Sequence, residues 1–205
     1  WRLTGERRIE QNWALEAGFF DLARGTVVDD LVALAHLRTA QLPPRAASEV
    51  VIGRITPAAA VATGLAVGTP VVGGLADHVA SAWAAGVLGA GDMLVKLGGA
   101  CDVMLASAEA RPDPRIFLDH HARPGLFMPN GCMACSGSLL NWFAGHFGHA
   151  ADAPGIAGAT RLQRLDTLAA EVAPGSEGVR ALPYFLGEKT PIHDPLARGT
   201  FTGIG

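Results

Sequence analysis

Asp77 heads the first candidate site of this chain. It follows the run Pro70-Val-Val-Gly-Gly-Leu-Ala and precedes the apolar-periodic stretch HVASAWAAGVL. A carboxylate at the exit of a strand and the start of a helix lies where ligands bind in open α/β sheets. A plain helix-capping aspartate would give the same local pattern, so both readings stand at this level. His78 follows directly and adds a second titratable group. About twenty residues on, Gly98-Gly99 separates MLVKL from CDVML. Backbone N–H groups in such a turn can approach a phosphate, although a Gly-Gly hairpin is also common for conformational reasons alone.

Cysteine and histidine offer less. Cys132-Met-Ala-Cys135 has C-x-x-C spacing, but zinc would need a second pair, and only Cys101 and His120-His121 are on offer. A redox pair would sit at a helix start after a strand; small thiols packed in a core are the plainer reading. His120 and His121 fall in a polar loop and are expected in solvent, while His146 and His149 near a helix end would complement its dipole. No G-x-S-x-G, H-E-x-x-H or Walker A pattern occurs.

The elements that must carry these residues can be read from periodicity and punctuation. EQNWALEAGFFDL (10–22) is mixed and partly helical, and Val27–Leu37 has a helical apolar stripe ended by Pro43-Pro44. Val50–Gly53 is a short β-branched strand, Pro57 opens an alanine-rich helix, and Gly68–Gly74 reads as turn, buried strand, turn. Asp92–Ala106 predicts two strands joined at Gly98-Gly99, and Leu126–Met128 another strand. Helices are expected over Ser138–His146 and Ala159–Val172, with a loop-rich end from Leu182. A domain boundary is placed near residues 88–91.

Composition narrows the class. The 205 residues carry 16 Lys and Arg against 19 Asp and Glu, a net charge of −3, with 49% hydrophobic residues, 26 Gly and 13 Pro. That mixture excludes a disordered tail and favours an α/β protein with many tight turns. Without a basic excess, no nucleic-acid partner is expected. Two uncharged stretches, 55–76 and 126–145, contain turn residues throughout, so no membrane span is expected. Three cysteines make no disulfide framework, and no signal peptide opens the chain, so a cytoplasmic protein is the default. The missing initiator Met points to a fragment or a processed chain.

Taken together, these segments resemble the central part of an FGGY-family carbohydrate kinase, xylulose-kinase-like. Leu3-Thr-Gly-Glu6 resembles the family's L-T-G-E run; the T-D-x-S-x-A pattern that follows it there reads Ile9-Glu-Gln-Asn-Trp-Ala14 here, keeping only the Ala. Val71–Asp77 resembles V-x-G-G-G-D, and Gly91–Gly98 resembles the start of G-D-x-x-x-S-L-G-T-S. Leu182–Pro191 and Asp194–Gly199 are similar to L-P-Y-L-x-G-E-R-T-P and D-P-x-A-R-G, and Gly199–Ile204 to the start of a further signature.

The resemblance implies an actin/hexokinase-like (ribonuclease H-like) two-domain fold, of which this chain is a partial piece. Residues 1–90 would end the first, sugar-binding domain and 91–205 would begin the second, ATP-binding one, with a cleft between the two domains. It implies ATP-dependent phosphorylation of a sugar hydroxyl, on a ketopentose or related polyol, with ATP and Mg²⁺ as cofactors. Asp77 would be the catalytic base, Asp77 and His78 would contact sugar, and Gly98, Gly99 and Gly187 would approach the nucleotide. No protein metal ligand is assigned. The family's D-x-G-T-x-x-x-R loop and Gly-rich adenosine site lie outside these 205 residues, so the piece alone is expected to be inactive. Partners expected are a small-molecule sugar and no nucleic acid or membrane, with a homodimer left open. Two departures stand out: Gly99-Ala100 replaces Thr-Ser, and His78 replaces an Asn or Gln. They keep a second class open, a weakened homologue that binds sugar or nucleotide as a sensor; a redox or metal protein built on Cys132 and Cys135 is a third.

Overall fold

The computed structural model of the chain describes residues 1–148 and 160–205; His149 and the first residue of the helix expected over Ala159–Val172 lie outside them. The chain divides into two compact units, one formed by Trp1–Asp92, Leu105–Arg111 and Leu118–Pro129, the other by Met93–Met104, Pro112–Phe117 and Asn130–Gly205.

In the first unit, strand β1 (Ile9–Glu10) pairs in parallel with β4 (Arg45–Ala46). Helix α1 (Gln11–Glu16) starts at once because Glu10 caps it, its Oε2 accepting the N–H groups of Asn12 at 2.9 Å and Trp13 at 3.3 Å. Strands β2 (Phe20–Asp21) and β3 (Thr26–Val27) form a hairpin, followed by α2 (Asp29–Leu34). That helix is shorter than the apolar stripe predicts. Val27 is taken by β3, and only Val32 reaches the interior, so the stripe never becomes a buried face.

Strands β5 (Val51–Arg54) and β6 (Pro70–Val72) pair antiparallel around α3 (Pro57–Thr63). Helix α3 has the expected punctuation: Pro57 at its start, Thr56 accepting the Ala59 N–H at 3.2 Å, and Gly64 left-handed at φ 76°. Strand β6 was expected to be buried, yet Pro70 and Val72 are exposed, because its one partner is β5. Helix α4 (Asp77–Ala84) turns Val79 and Ala82 inward.

The second unit opens with β7 (Met93–Leu97) and β8 (Cys101–Leu105), hydrogen-bonded neighbours joined through Gly98-Gly99. Strand β9 (Phe117–His120) and the first half of β10 (Phe127–Met133) return to the first unit. The second half of β10 runs antiparallel to β8, with Gly131 opposite Val103 and Cys132 opposite Asp102. Helices α5 (Gly137–His146) and α6 (Arg161–Ala170) follow, then the antiparallel pair β11 (Arg180–Leu182) and β12 (Thr200–Thr202). Trp142 of α5 packs on Phe185 at 4.4 Å between ring centroids, and Phe143 meets Phe201 at 6.4 Å, which gathers the aromatic residues of this unit. His146 stacks on Trp142 and its Nδ1 lies 2.8 Å from the Trp142 carbonyl. Among the described residues, no helix is long and apolar enough to cross a membrane.

Helix α5 sits hard against the β7–β8 turn: a Cβ on Gly137 would lie 2.6 Å from the Gly98 carbonyl oxygen. Gly137→Ala in the full-length protein should therefore cost roughly 1–3 kcal/mol in urea unfolding. Gly145→Ala, in the same helix with open space around it, should cause no loss; equal effects would refute the close approach.

Candidate active site: a histidine among three carboxylates

Asp77 is presented by a loop with little room to move. A Cβ on Gly73 would lie 2.6 Å from the Ala47 carbonyl oxygen. Its N–H donates to Val50 O at 3.0 Å, and that of Gly74 to Ser48 O at 3.1 Å. Gly74 takes φ 86°, which a glycine adopts at low cost. Ala76 is completely buried and is itself the N-cap, so Asp77 is the first helical residue rather than the cap. Its side chain is 96% exposed, and Oδ1 accepts the His78 N–H at 2.8 Å. An acid in the first turn also complements the positive end of the helix.

His78 is surrounded by carboxylates. Its Nδ1 is 3.4 Å from Asp77 Oδ1, while Nε2 is 3.1 Å from Asp119 Oδ2 and 3.9 Å from Glu16 Oε1. The Asp119 hydrogen bond raises the imidazole to about 9, against the opposing effect of burial and with help from Asp77 and Glu16. The ring is therefore a cation at neutral pH. Burial first, and Asp119 second, push the Glu16 carboxyl upward, with His78 acting the other way. Glu16 and Asp119 were absent from the sequence reading. They come from α1 and β9, far apart in sequence, and neither stands in a motif.

A second layer holds those two elements. Glu10 is buried, and its Oε1 accepts the Ser48 hydroxyl at 2.8 Å. Asn12, with no exposed surface, donates through Nδ2 to the His120 carbonyl at 2.9 Å and accepts the His120 N–H on Oδ1 at 2.7 Å. The expectation that His120 and His121 are solvated fails. His121 is 2% exposed: its Nδ1 accepts the Arg123 N–H at 2.9 Å, which leaves Nε2 to donate to Val87 O at 3.0 Å. Burial, then Arg45, pulls His120 downward. An apolar hollow of about 240 Å³ lined by Ile9, Phe19, Phe20, Leu42, Pro43 and Pro44 contains no carboxylate, so it is not where proton transfer would occur.

In the second unit, the Gly98-Gly99 turn is held through its carbonyls. Ser136 N–H and the Ser138 hydroxyl each donate to Gly99 O at 2.8 Å, and Gly137 N–H to Gly98 O at 2.8 Å. A Cβ on Gly99 would meet nothing within 4 Å. Gly187 has φ 73° and a Cβ there would lie 2.6 Å from Pro195 O, so this turn requires glycine. The residues after it clasp β10. Glu188 accepts the Ala134 N–H at 3.1 Å, and Thr190 Oγ1 accepts the Cys132 N–H at 2.6 Å. Cys101, Cys132 and Cys135 are free thiols. Burial and then Asp102 push the Cys132 thiol upward, unlike a reactive thiolate.

Among the described residues, the one grouping with metal-ligand spacing is Glu16, His78 and Asp119. It does not fit Mg²⁺, which prefers an octahedron of oxygens, because a cationic imidazole already hydrogen-bonded to Asp119 fills its centre.

The sequence pattern of the N-terminal domain of the FGGY family of carbohydrate kinases matches residues 1–84, and that of its C-terminal domain matches residues 93–205. The chain belongs to this family. It is 28% identical over 206 residues to a xylulose kinase of Escherichia coli, and 30% identical over 207 residues to one of Klebsiella pneumoniae, covering 99% of this chain in each case. The crystal structure of xylulose kinase from Rhodospirillum rubrum superposes with a TM-score of 0.89 at 53% identity over the whole chain. The chain spans 40% of the length of each of these three proteins. Its fold is accordingly a partial piece of the actin/hexokinase-like architecture expected.

The His78 environment has a stability signature. A raised folded-state value means that the ion pair contributes fully below the unfolded value of 6.5 and is lost as pH rises through about 9. Thermal melts of the full-length protein should therefore show a loss between those limits that His78→Asn abolishes. A melting curve independent of pH in that window would contradict the pairing.

Proposed function

We propose that the protein containing this chain transfers the γ-phosphoryl group of ATP to a hydroxyl of a ketopentose or related polyol, with Asp77 as general base. The observation that carries the reading is the exposed Asp77 carboxylate, held at the first residue of α4 and flanked by the His78 cation. The relatives' names, xylulose kinase, favour a five-carbon ketose.

Phosphoryl transfer asks a protein mainly for positioning and charge neutralisation. Asp77 would accept the proton of the attacking hydroxyl as the oxygen bonds to phosphorus, and His78 would stand with it on the sugar. Gly98 and Gly99 are assigned to the nucleotide phosphates. Gly187 is assigned to the nucleotide as well, although its tight turn against Pro195 already accounts for the glycine. Mg²⁺ would arrive with the phosphates and neutralise their charge. Residues 1–90 are assigned to the sugar-binding domain and 91–205 to the ATP-binding one. The free thiols favour a reducing cytoplasm, and a net charge of −3 favours a small-molecule sugar over nucleic acid as partner; a second copy of the chain is the remaining candidate. A hairpin without its hydroxyls, Gly99-Ala100, favours the second reading of a sugar or nucleotide sensor.

Coupled ADP release from Mg-ATP by the full-length protein, screened over pentuloses, hexuloses and polyols, separates the two. A kinase gives sugar-dependent release that Asp77→Asn lowers by at least about 100-fold. ATP binding with no release on any sugar would establish the sensor. Gly99→Thr, whose Cβ would stand in open space, should lower the KM for ATP without changing stability.

A further inference from the structure

The two ring nitrogens of His78 face different carboxylates, and this bears on what Asp77 needs. Asp119 is 4% exposed on β9, where a carboxylate without a compensating charge would be costly. Its Oδ2 lies 3.1 Å from Nε2, and Glu16 Oε1 lies 3.9 Å from the same nitrogen. On the other side of the ring, Nδ1 is 3.4 Å from Asp77 Oδ1, the oxygen that already accepts the His78 N–H at 2.8 Å. The ring therefore joins a buried carboxylate to an exposed one.

We propose that Asp119 is a positioning residue for the base: it holds the His78 ring against Asp77 Oδ1, fixing the orientation of that carboxylate. This rests on the kinase reading above and adds to it a residue from β9. An amide at position 78 could donate to Asp77 but could not neutralise Asp119, so His78 and Asp119 form a matched pair. No covalent step is involved. The proton taken from the sugar goes to Asp77 and thence to solvent. The charged groups around the ring are Asp77 on α4, Asp119 on β9 and Glu16 on α1, with Glu10 next to Glu16 in the electrostatic balance.

The test compares Asp119→Asn with the parent as full-length proteins, reading sugar-dependent ADP release against pH. In the parent, kcat holds to alkaline pH and falls as His78 loses its proton. In Asp119→Asn the fall moves toward neutrality, so that kcat is near that of the parent at about pH 6 and reduced about tenfold at about pH 8.5, with the KM for sugar little changed. Asp119→Glu should restore most of the alkaline activity. A uniform loss at every pH, or superimposable profiles, would overturn the proposal. Should Asp119→Asn fail to fold, the double variant Asp119→Asn/His78→Asn removes the buried charge with its partner; it should fold and show no alkaline limb from this ring, and an unaltered limb would overturn the proposal. Carbon-13 NMR titration of His78 needs no turnover. A fall in its titration midpoint on Asp119→Asn supports the pairing even if no sugar is phosphorylated, which would sink the kinase reading alone. An unchanged midpoint overturns the pairing whatever the activity.

Discussion

The carboxamide of Asn12 sets the geometry on which the charged site depends. It is wholly buried and satisfies both backbone groups of His120, donating to the carbonyl and accepting the N–H. An amide that exchanges two hydrogen bonds with one residue fixes distance and orientation together. Four residues along α1 is Glu16, and next to His120 on β9 is Asp119. Those two carboxylates reach the same nitrogen of His78 because their elements are joined at this point. Glu10 does a related task one step earlier, capping α1 with one oxygen and holding Ser48 with the other.

Electrostatics then dictates what stands between those elements. Glu16, Asp77 and Asp119 would repel one another around an empty or neutral centre, and Asp119 is too buried for water to screen it. A cation in the middle converts that repulsion into attraction toward a common point. Histidine suits the position because its two nitrogens lie on opposite edges of a flat ring, so one charge serves carboxylates on both sides. Lysine would bring a single donor centre on a flexible stem and could not span Asp119 and Asp77 in the same way.

Much of the frame was legible in the sequence because it rests on local chemistry. Pro57, Thr56 and Gly64 delimit α3, and Gly98-Gly99 joins β7 to β8. What escaped was set by tertiary pairing. The histidines at 120 and 121 stand in a stretch rich in Arg, Asp and Pro, which reads as solvated loop. His121 is buried and His120 half-buried because β9 pairs with β10 and because Asn12 and Val87 supply partners from distant sequence. Asp119 escaped for the same reason: nothing within ten residues of it announces a histidine at position 78. Asp77 is singled out by its place after Gly73-Gly74, and the structure puts it at the first helical position rather than at the cap. Ala76, a poor cap that offers no side-chain hydrogen bond, takes the N-cap site and is completely buried.

Part of the family resemblance falls where this chain makes structural contacts. In the block from Leu182 to Gly199, Gly187 turns against Pro195, and Glu188 and Thr190 bind the backbone of β10 at Ala134 and Cys132. Each contact is to backbone, and so it constrains the block while asking little of the residues it touches. The departures from the family pattern stand at His78 and Gly99-Ala100, positions proposed to face the ligands. The hairpin tolerates its change because its shape is fixed from outside: donors at the start of α5 hold the carbonyls of Gly98 and Gly99. On the proposed reading, losing a hydroxyl there would remove a phosphate contact and leave the backbone in place. The change to histidine at position 78 is of another kind, since a charge replaces a neutral amide and a buried carboxylate must answer it. One departure is thus independent of its surroundings, and the other is intelligible only together with Asp119.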